Sequence, residues 1–323
     1  MVSNAYDRAQ RTTPENAMRI GIMAAGAVGG YLGARLAAAG HDVVFFARGA
    51  HLDALRANGL KIESPLGDLQ LGVHATDDPA SVEPVDVVVF AVKLWDTEKA
   101  GVQIKPIVTS DTRVITLQNG VDSVERLAPI LGEDVVVGGT AVIATVIKTP
   151  GVISHSSRFA QIRCGRADGR NDATLAAFVT AARSAGIDIT LSESIERDRW
   201  EKFVFLVGLS GATALTRMPI GAVLADPDTR AYFRALLEEV VAVGRAKGVS
   251  LAPDFGEDRF NYALSVPYGM KASLLHDLER GNRLEIDWLA GHVVELGRAL
   301  GIEVPANTGV YAALKLHRLG RAP

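Results

Sequence analysis

A chain of 323 residues is long enough for roughly two domains. Its composition, 48% hydrophobic and 22% charged with a formal net charge of -3, gives a globular protein with a sizeable core. It lacks the basic excess that a nucleic-acid partner would demand. The single cysteine, Cys164, excludes an intramolecular disulfide and fits a reducing, cytoplasmic setting. The longest apolar run, Phe203 to Leu215, is thirteen residues broken by Gly208 and Gly211, too short for a bilayer span. Residues Met1 to Ala17 are polar and carry Arg8 and Arg11 without an apolar stretch. They read as a disordered extension and not as a signal peptide.

The chain is organised around Arg19-Ile-Gly-Ile-Met-Ala-Ala-Gly-Ala-Val-Gly-Gly30. The apolar residues up to Met23 predict a buried strand, and Ala27 to Ala39 predict a helix opened by Gly26 and Gly29. A strand feeding a helix through a glycine turn presents unpaired N–H groups and the positive helix end to an anion. In a dinucleotide-binding fold that anion is a pyrophosphate. Ala24 replaces the first glycine of the usual fingerprint, which is acceptable if its φ stays negative.

Gly40 caps this helix, and Val43 to Phe46 form a second strand that ends at Arg48. An acid at that strand end would bind the adenosine ribose of NAD, whereas a guanidinium pairs with the 2′-phosphate of NADP. Leu60 to Glu63 and Leu69 to Val73 flank Pro65-Leu-Gly67 as a hairpin. Asp86 to Val92 is a strand with Lys93 at its carboxyl end, followed by a helix to Ile107. Val114 to Leu117 is another, ending in Gln118-Asn-Gly120. Both ends lie on the edge where doubly wound sheets bind ligands. Asn119 is either a left-handed turn former or an amide facing the nicotinamide. Further strands are expected at Val135 to Val137, Ala141 to Ile147, Val152 to His155 and Phe159 to Cys164, with a helix from Ala173 to Ser184.

From Ser192 the pattern turns helical. The expected helices are Ile195 to Leu215, Asp228 to Lys247, Asp254 to Leu264, Lys271 to Leu278, Ile286 to Leu300 and Ala306 to Leu319, with prolines near several starts. The fold class is therefore α/β: a Rossmann-type, doubly wound, mostly parallel sheet over residues 18–191, then an all-helical domain over 192–323. Lys202 lies where its helix becomes apolar on nearly every side, so it either snorkels to solvent or is poised for chemistry. Glu285 opens another helix, where the dipole favours an acid.

Taken together, these pieces resemble the ketopantoate reductase (2-dehydropantoate 2-reductase) family from Met18 to about Leu319. The resemblance is carried by Gly26-Ala-Val-Gly-Gly30, Arg48, Ala91-Val-Lys93, Gln118-Asn-Gly-Val121, Trp200-Glu-Lys202, Ser273-Leu-Leu-His-Asp277, Gly281, Glu285-Ile-Asp287 and Val304-Pro-Ala-Asn-Thr308. It implies an NADP-dependent oxidoreductase of pantothenate biosynthesis that reduces a 2-oxo acid to a 2-hydroxy acid. Lys202 and Glu285 would be catalytic, the lysine protonating the keto oxygen and the glutamate contacting that lysine and the substrate. Ser273 would hold the substrate carboxylate, and Asn119 would sit beside substrate and nicotinamide. Gly26, Ala27, Val28, Gly29, Arg48 and Lys93 would bind the cofactor. No metal is implied, and a homodimer is left open.

The family usually carries asparagines one and two helical turns after the lysine, where this chain has Leu206 and Ser210. Both remain candidate substrate-binding positions, but leucine offers no hydrogen bond to a substrate hydroxyl. Two alternatives stay open: a β-hydroxyacid dehydrogenase of the 6-phosphogluconate type, and a non-catalytic NADP-binding sensor.

Overall fold

The computed structural model describes residues 17–321, so the expected disordered extension falls outside the description except for Ala17. The chain divides into two compact units. One holds the residues up to Gln118 together with Asp122–Ile195; the other takes Asn119–Val121 and everything from Glu196 onward.

The first unit is a ten-stranded sheet with helices. Its elements are β1 (Arg19–Met23), α1 (Ala27–Ala38), β2 (Asp42–Phe46), α2 (Gly49–Asn58), β3 (Leu60–Glu63), β4 (Leu69–Leu71), β5 (His74–Thr76), β6 (Val87–Phe90), α3 (Thr97–Ile104), β7 (Arg113–Thr116), α4 (Ser123–Leu131), β8 (Val136–Thr149), β9 (Val152–Gly165), α5 (Ala173–Ser184) and β10 (Asp188–Leu191). The strand order is β4-β3-β9-β8-β7-β6-β1-β2-β5, with β10 beside β9. From β5 across to β8 all neighbours are parallel. The central strands of this set are buried along almost their whole length, as strands covered on both faces must be.

Close approach of α1 to the sheet depends on glycine. A Cβ at Gly29 would lie 2.5 Å from the Ala24 carbonyl oxygen, and one at Gly33 would lie 2.5 Å from the Phe45 ring and 2.7 Å from Ile22. Past the helix, Gly40 takes φ 92° and turns the chain into β2.

The structure corrects several expected elements. The four apolar runs between Val135 and Cys164 are two long strands, β8 and β9, paired antiparallel with register shifts near Ile143 and Ile147. Gly138 and Gly139 do not break β8. A Cβ at Gly139 would meet Leu117 and the Thr116 carbonyl within 3 Å, so the glycine permits tight strand contact. The expected helix to Ile107 is α3 closed by a 3₁₀ turn, Lys105–Ile107. Helices α2 and α4 and strands β5 and β10 add to the expected set. Helix α2 buries only Leu52 and Leu55, α4 contains Pro129, and β10 buries only Ile189, so each pattern is faint in sequence.

The second unit is helical: α6 (Ile195–Thr216), α7 (Ile220–Ala225), α8 (Pro227–Ala246), α9 (Phe255–Ser265), α10 (Ser273–Arg280), α11 (Ala290–Leu300) and α12 (Pro305–Leu314). Its core gathers Trp200, Phe203, Val204 and Val207 of α6 with Phe233, Leu236 and Leu237 of α8. Val121 is buried in the same core. A Cβ at Gly208 would lie 2.5 Å from Leu237, so here too a glycine sets the helix spacing. The Glu239 carboxylate accepts from the backbone N–H groups of Ala306 and Asn307, satisfying the start of α12 from a neighbouring helix. The expected continuous helix from Ile286 to Leu300 is broken. A 3₁₀ turn, Ile286–Trp288, precedes Leu289, whose φ of -103° and ψ of -105° are not helical. The last helix ends at Leu314 and continues as a 3₁₀ turn, Lys315–His317.

Overpacking a dense core costs about 1–3 kcal/mol. Gly33→Ala should lose that much in urea unfolding, whereas Gly26→Ala, whose Cβ would meet no atom within 4 Å, should unfold like the parent. Equal stability of both variants would contradict the close helix–strand packing described above.

Candidate active site

In the first unit the β1–α1 turn leaves the N-terminus of α1 open and without a side-chain cap. Among the described residues Arg217 alone has positive φ without being glycine, so Ala24 makes its turn in an ordinary conformation. The missing fingerprint glycine therefore introduces no backbone strain. Gly26 is the N-cap of α1 and offers no side-chain cap, which leaves the helix's first N–H groups without that usual acceptor. Gly26, Ala27 and Val28 are half-buried while Gly29 is buried against the strand. An added Cβ at Gly26 would project into open space, whereas one at Gly29 would strike the turn. This is a cradle that a pyrophosphate fits: open on the helix end, packed on the sheet side.

Arg48 immediately precedes α2 and is exposed, and its guanidinium donates to the Asp96 carboxylate at 2.9 Å. Nothing in Lys93-Leu-Trp-Asp96 announces in sequence a partner for a residue 48 positions earlier. Lys93 follows β6 and is exposed, with its ammonium 5.6 Å from the centre of the Trp95 ring. Gln118 is buried at the end of β7, where its amide donates to the Val92 carbonyl and the Thr97 hydroxyl. That bonding ties the ends of two strands on the ligand edge.

In the second unit, Lys202, Asn119 and Glu285 come together. The Lys202 ammonium, two turns into α6, donates to the Asn119 side-chain oxygen at 3.0 Å. Lysine can only donate, so the amide oxygen must face it and the NH₂ must point elsewhere. Asn119 does not adopt positive φ, which removes the left-handed-turn explanation for its presence. Desolvation pulls the lysine's pKa down from 10.5 to about 8, opposed by the nearby Glu285 carboxylate, which favours the charged form. Glu285 is itself buried, 6% exposed, at the start of the 3₁₀ turn, and its side chain does not cap that turn. Neither capping nor free snorkelling describes this pair.

Beyond Lys202 the same face of α6 carries Leu206, Ser210 and Thr213. Leu206 is half-buried and packs on the core. Ser210 is 1% exposed, and its hydroxyl makes no hydrogen bond. Thr213 donates to the Leu209 carbonyl at 2.7 Å and is thereby satisfied. Ser273 lies exposed as the first residue of α10. No described helix is long and apolar enough to cross a membrane.

A half-buried ammonium with a lowered pKa, bonded to an amide oxygen and near a carboxylate, can give a proton to a developing oxyanion. Comparison with known proteins bears on which reaction that would serve. The family model "Ketopantoate reductase PanE/ApbA" matches residues 20–169, and its C-terminal companion matches residues 194–318. A 2-dehydropantoate 2-reductase of Mesorhizobium japonicum is 32% identical, the match covering 92% of this chain and 97% of the relative. The oxidoreductase YkpB of Bacillus subtilis, of uncharacterised function, is 30% identical over 93% of this chain and 99% of its own. The crystal structure of a PanE/ApbA family ketopantoate reductase from Ralstonia eutropha JMP134 superposes with a TM-score of 0.86 at 34% identity, covering 93% and 98% of the two chains. Matched in both units and at nearly full length, the chain belongs to the ketopantoate reductase PanE/ApbA family.

Proposed function

We propose that this protein reduces a 2-oxo acid, ketopantoate or a related compound, to the 2-hydroxy acid with NADPH. The reading is carried by one observation: a half-buried lysine bonded to Asn119, beside buried Glu285, with its pKa brought down toward working pH. Gly26, Ala27, Val28 and Gly29 would hold the pyrophosphate, Arg48 and Lys93 the adenosine phosphate end, and Asn119 the nicotinamide side. The cofactor, when bound, supplies the hydride. The Lys202 ammonium then gives its proton to the oxygen that was the ketone's, and the Asn119 carbonyl holds Nζ in place for that transfer. Glu285 keeps the ammonium charged until the oxyanion develops. Ser273 would hold the substrate carboxylate. The oxidoreductases of this family favour this reading over a non-catalytic sensor.

For the substrate's far end we propose an apolar preference. Leu206 stands one turn from Lys202, and the next turn offers only the Ser210 hydroxyl. Ketopantoate carries a primary hydroxyl for which leucine provides no partner. A buried hydroxyl left unpaired costs about 1–3 kcal/mol.

Three outcomes test these assignments. Lys202→Ala should lower kcat about 10²–10⁴-fold, the span for one general acid, while NADPH still binds. Turnover near that of the parent would reduce Lys202 to a packing residue. Arg48→Ala should weaken NADPH by about 1.5–3 kcal/mol and leave NADH nearly unchanged. Its exposed pair with Asp96 is worth little to the fold, so the thermal midpoint should hold; equal losses for both cofactors would remove the 2′-phosphate assignment. The wild type should reduce the deoxy analogue of ketopantoate at least as fast as ketopantoate itself, and Leu206→Asn should shift the preference back. A clear wild-type preference for ketopantoate would show the apolar reading to be wrong.

A further inference from the structure

His51, in the first turn of α2, touches the cofactor turn from behind. Its Nε2 lies 2.8 Å from the Ala25 carbonyl oxygen, and its Nδ1 lies 3.1 Å from the Gly151 nitrogen in the turn joining β8 to β9. The partners fix the tautomer. The Gly151 N–H can only donate, so Nδ1 is unprotonated; a carbonyl can only accept, so Nε2 carries the hydrogen. Burial favours this neutral ring by holding His51 below its ordinary pKa. Both ring nitrogens are therefore spent on backbone groups.

The Ala25 carbonyl matters because of its place. It precedes the N-cap, outside the intrahelical ladder that begins with Gly30 N–H on the Gly26 carbonyl. It shares one planar, trans peptide with the Gly26 N–H. Fixing the carbonyl direction fixes the opposite direction of that N–H, which is the first donor of the glycine turn. The other side of the Ala25 peptide is anchored too, its own N–H donating to the Phe46 carbonyl at 2.8 Å. Gly26 has no Cβ and no side-chain cap to steady it, so the ring is the side chain that sets this peptide plane.

We propose that His51 is a positioning residue for cofactor binding, holding the Ala25–Gly26 peptide so that its N–H faces the bound anion. The proposal rests on the reading of this turn as the pyrophosphate cradle. Preorganised donors bind more tightly because no reorientation is needed on binding. Sequence patterning gave no sign of this role, since α2 itself was not evident and His51 reads as one more polar residue after Arg48.

The test uses the full chain and NADPH titrated by fluorescence, with thermal midpoints measured alongside. Asparagine can replace Nδ1 as acceptor for Gly151, whereas glutamine can place an amide N–H where Nε2 donates to Ala25. His51→Ala and His51→Asn should raise the Kd for NADPH about fivefold or more, the effect of one hydrogen bond, with kcat at saturating NADPH unchanged. His51→Gln should bring the Kd back toward the parent's. A fall in thermal midpoint with an unaltered Kd in all variants overturns the proposal, as does rescue by asparagine but not glutamine. Should the alanine variant fail to fold, the asparagine–glutamine pair decides alone. A wild type that binds no NADPH removes the cofactor reading itself, an outcome distinct from the others.

Discussion

The chemistry of the second unit depends on a charged group placed where water cannot fully solvate it. A lysine on a helix that turns apolar around it would lose its proton well below the range usual for the residue. Glu285 opposes that loss through its charge, and Asn119 accepts one of the ammonium's hydrogens. The balance leaves Lys202 near 8, acidic enough to release a proton yet still charged at neutral pH. The arrangement has a cost in stability. Between about pH 8 and 10.5 the unfolded chain binds the proton and the folded chain does not, so this group's contribution to stability rises with pH across that window. Below it the folded protein carries the desolvation cost of the charged lysine, partly offset by Glu285. The lowered pKa of Lys202 thus comes at some cost in stability below that window.

In the first unit, close packing plays the corresponding part. Gly29 and Gly33 let α1 settle onto β1 and β2, while Gly26 leaves the helix end open to a ligand. The glycines of α1 and its N-cap thus serve two different purposes, and the space around each distinguishes them. Ala24 does not adopt positive φ, so the turn closes without the first fingerprint glycine. The bond from His51 to the adjoining Ala25 reaches this turn from outside the motif.

Much of this was legible in the sequence. The buried parallel strands announce themselves as continuous apolar runs, α5 was readable end to end, and α6 was readable to within a residue at its C-terminus. Lys202, Glu285 and Asn119 could be named as candidates because a charge on an apolar helix is conspicuous and because their order resembles one family. Other features were hidden for physical reasons. Helix α2 buries two side chains and so carries little periodic signal. The β8–β9 ribbon looked like four strands because Gly138 and Gly139, which permit contact, resemble glycines that end strands, and because polar Ser156-Ser-Arg158 interrupts the apolar pattern of β9. The break at Leu289 has no proline or glycine to mark it. Pairings such as Arg48 with Asp96 or His51 with Ala25 join distant positions, and only folding brings them together.

The central claim is that Lys202 is held near 8 by burial set against the Glu285 carboxylate. Its ammonium can be titrated directly by NMR in protein labelled at lysine ε-carbon, with Lys202→Ala identifying the resonance. The account predicts a midpoint of about 8 in the wild type and a lower one in Glu285→Gln, where the carboxylate's support is gone. A midpoint near 10.5, or one indifferent to Glu285, would contradict it.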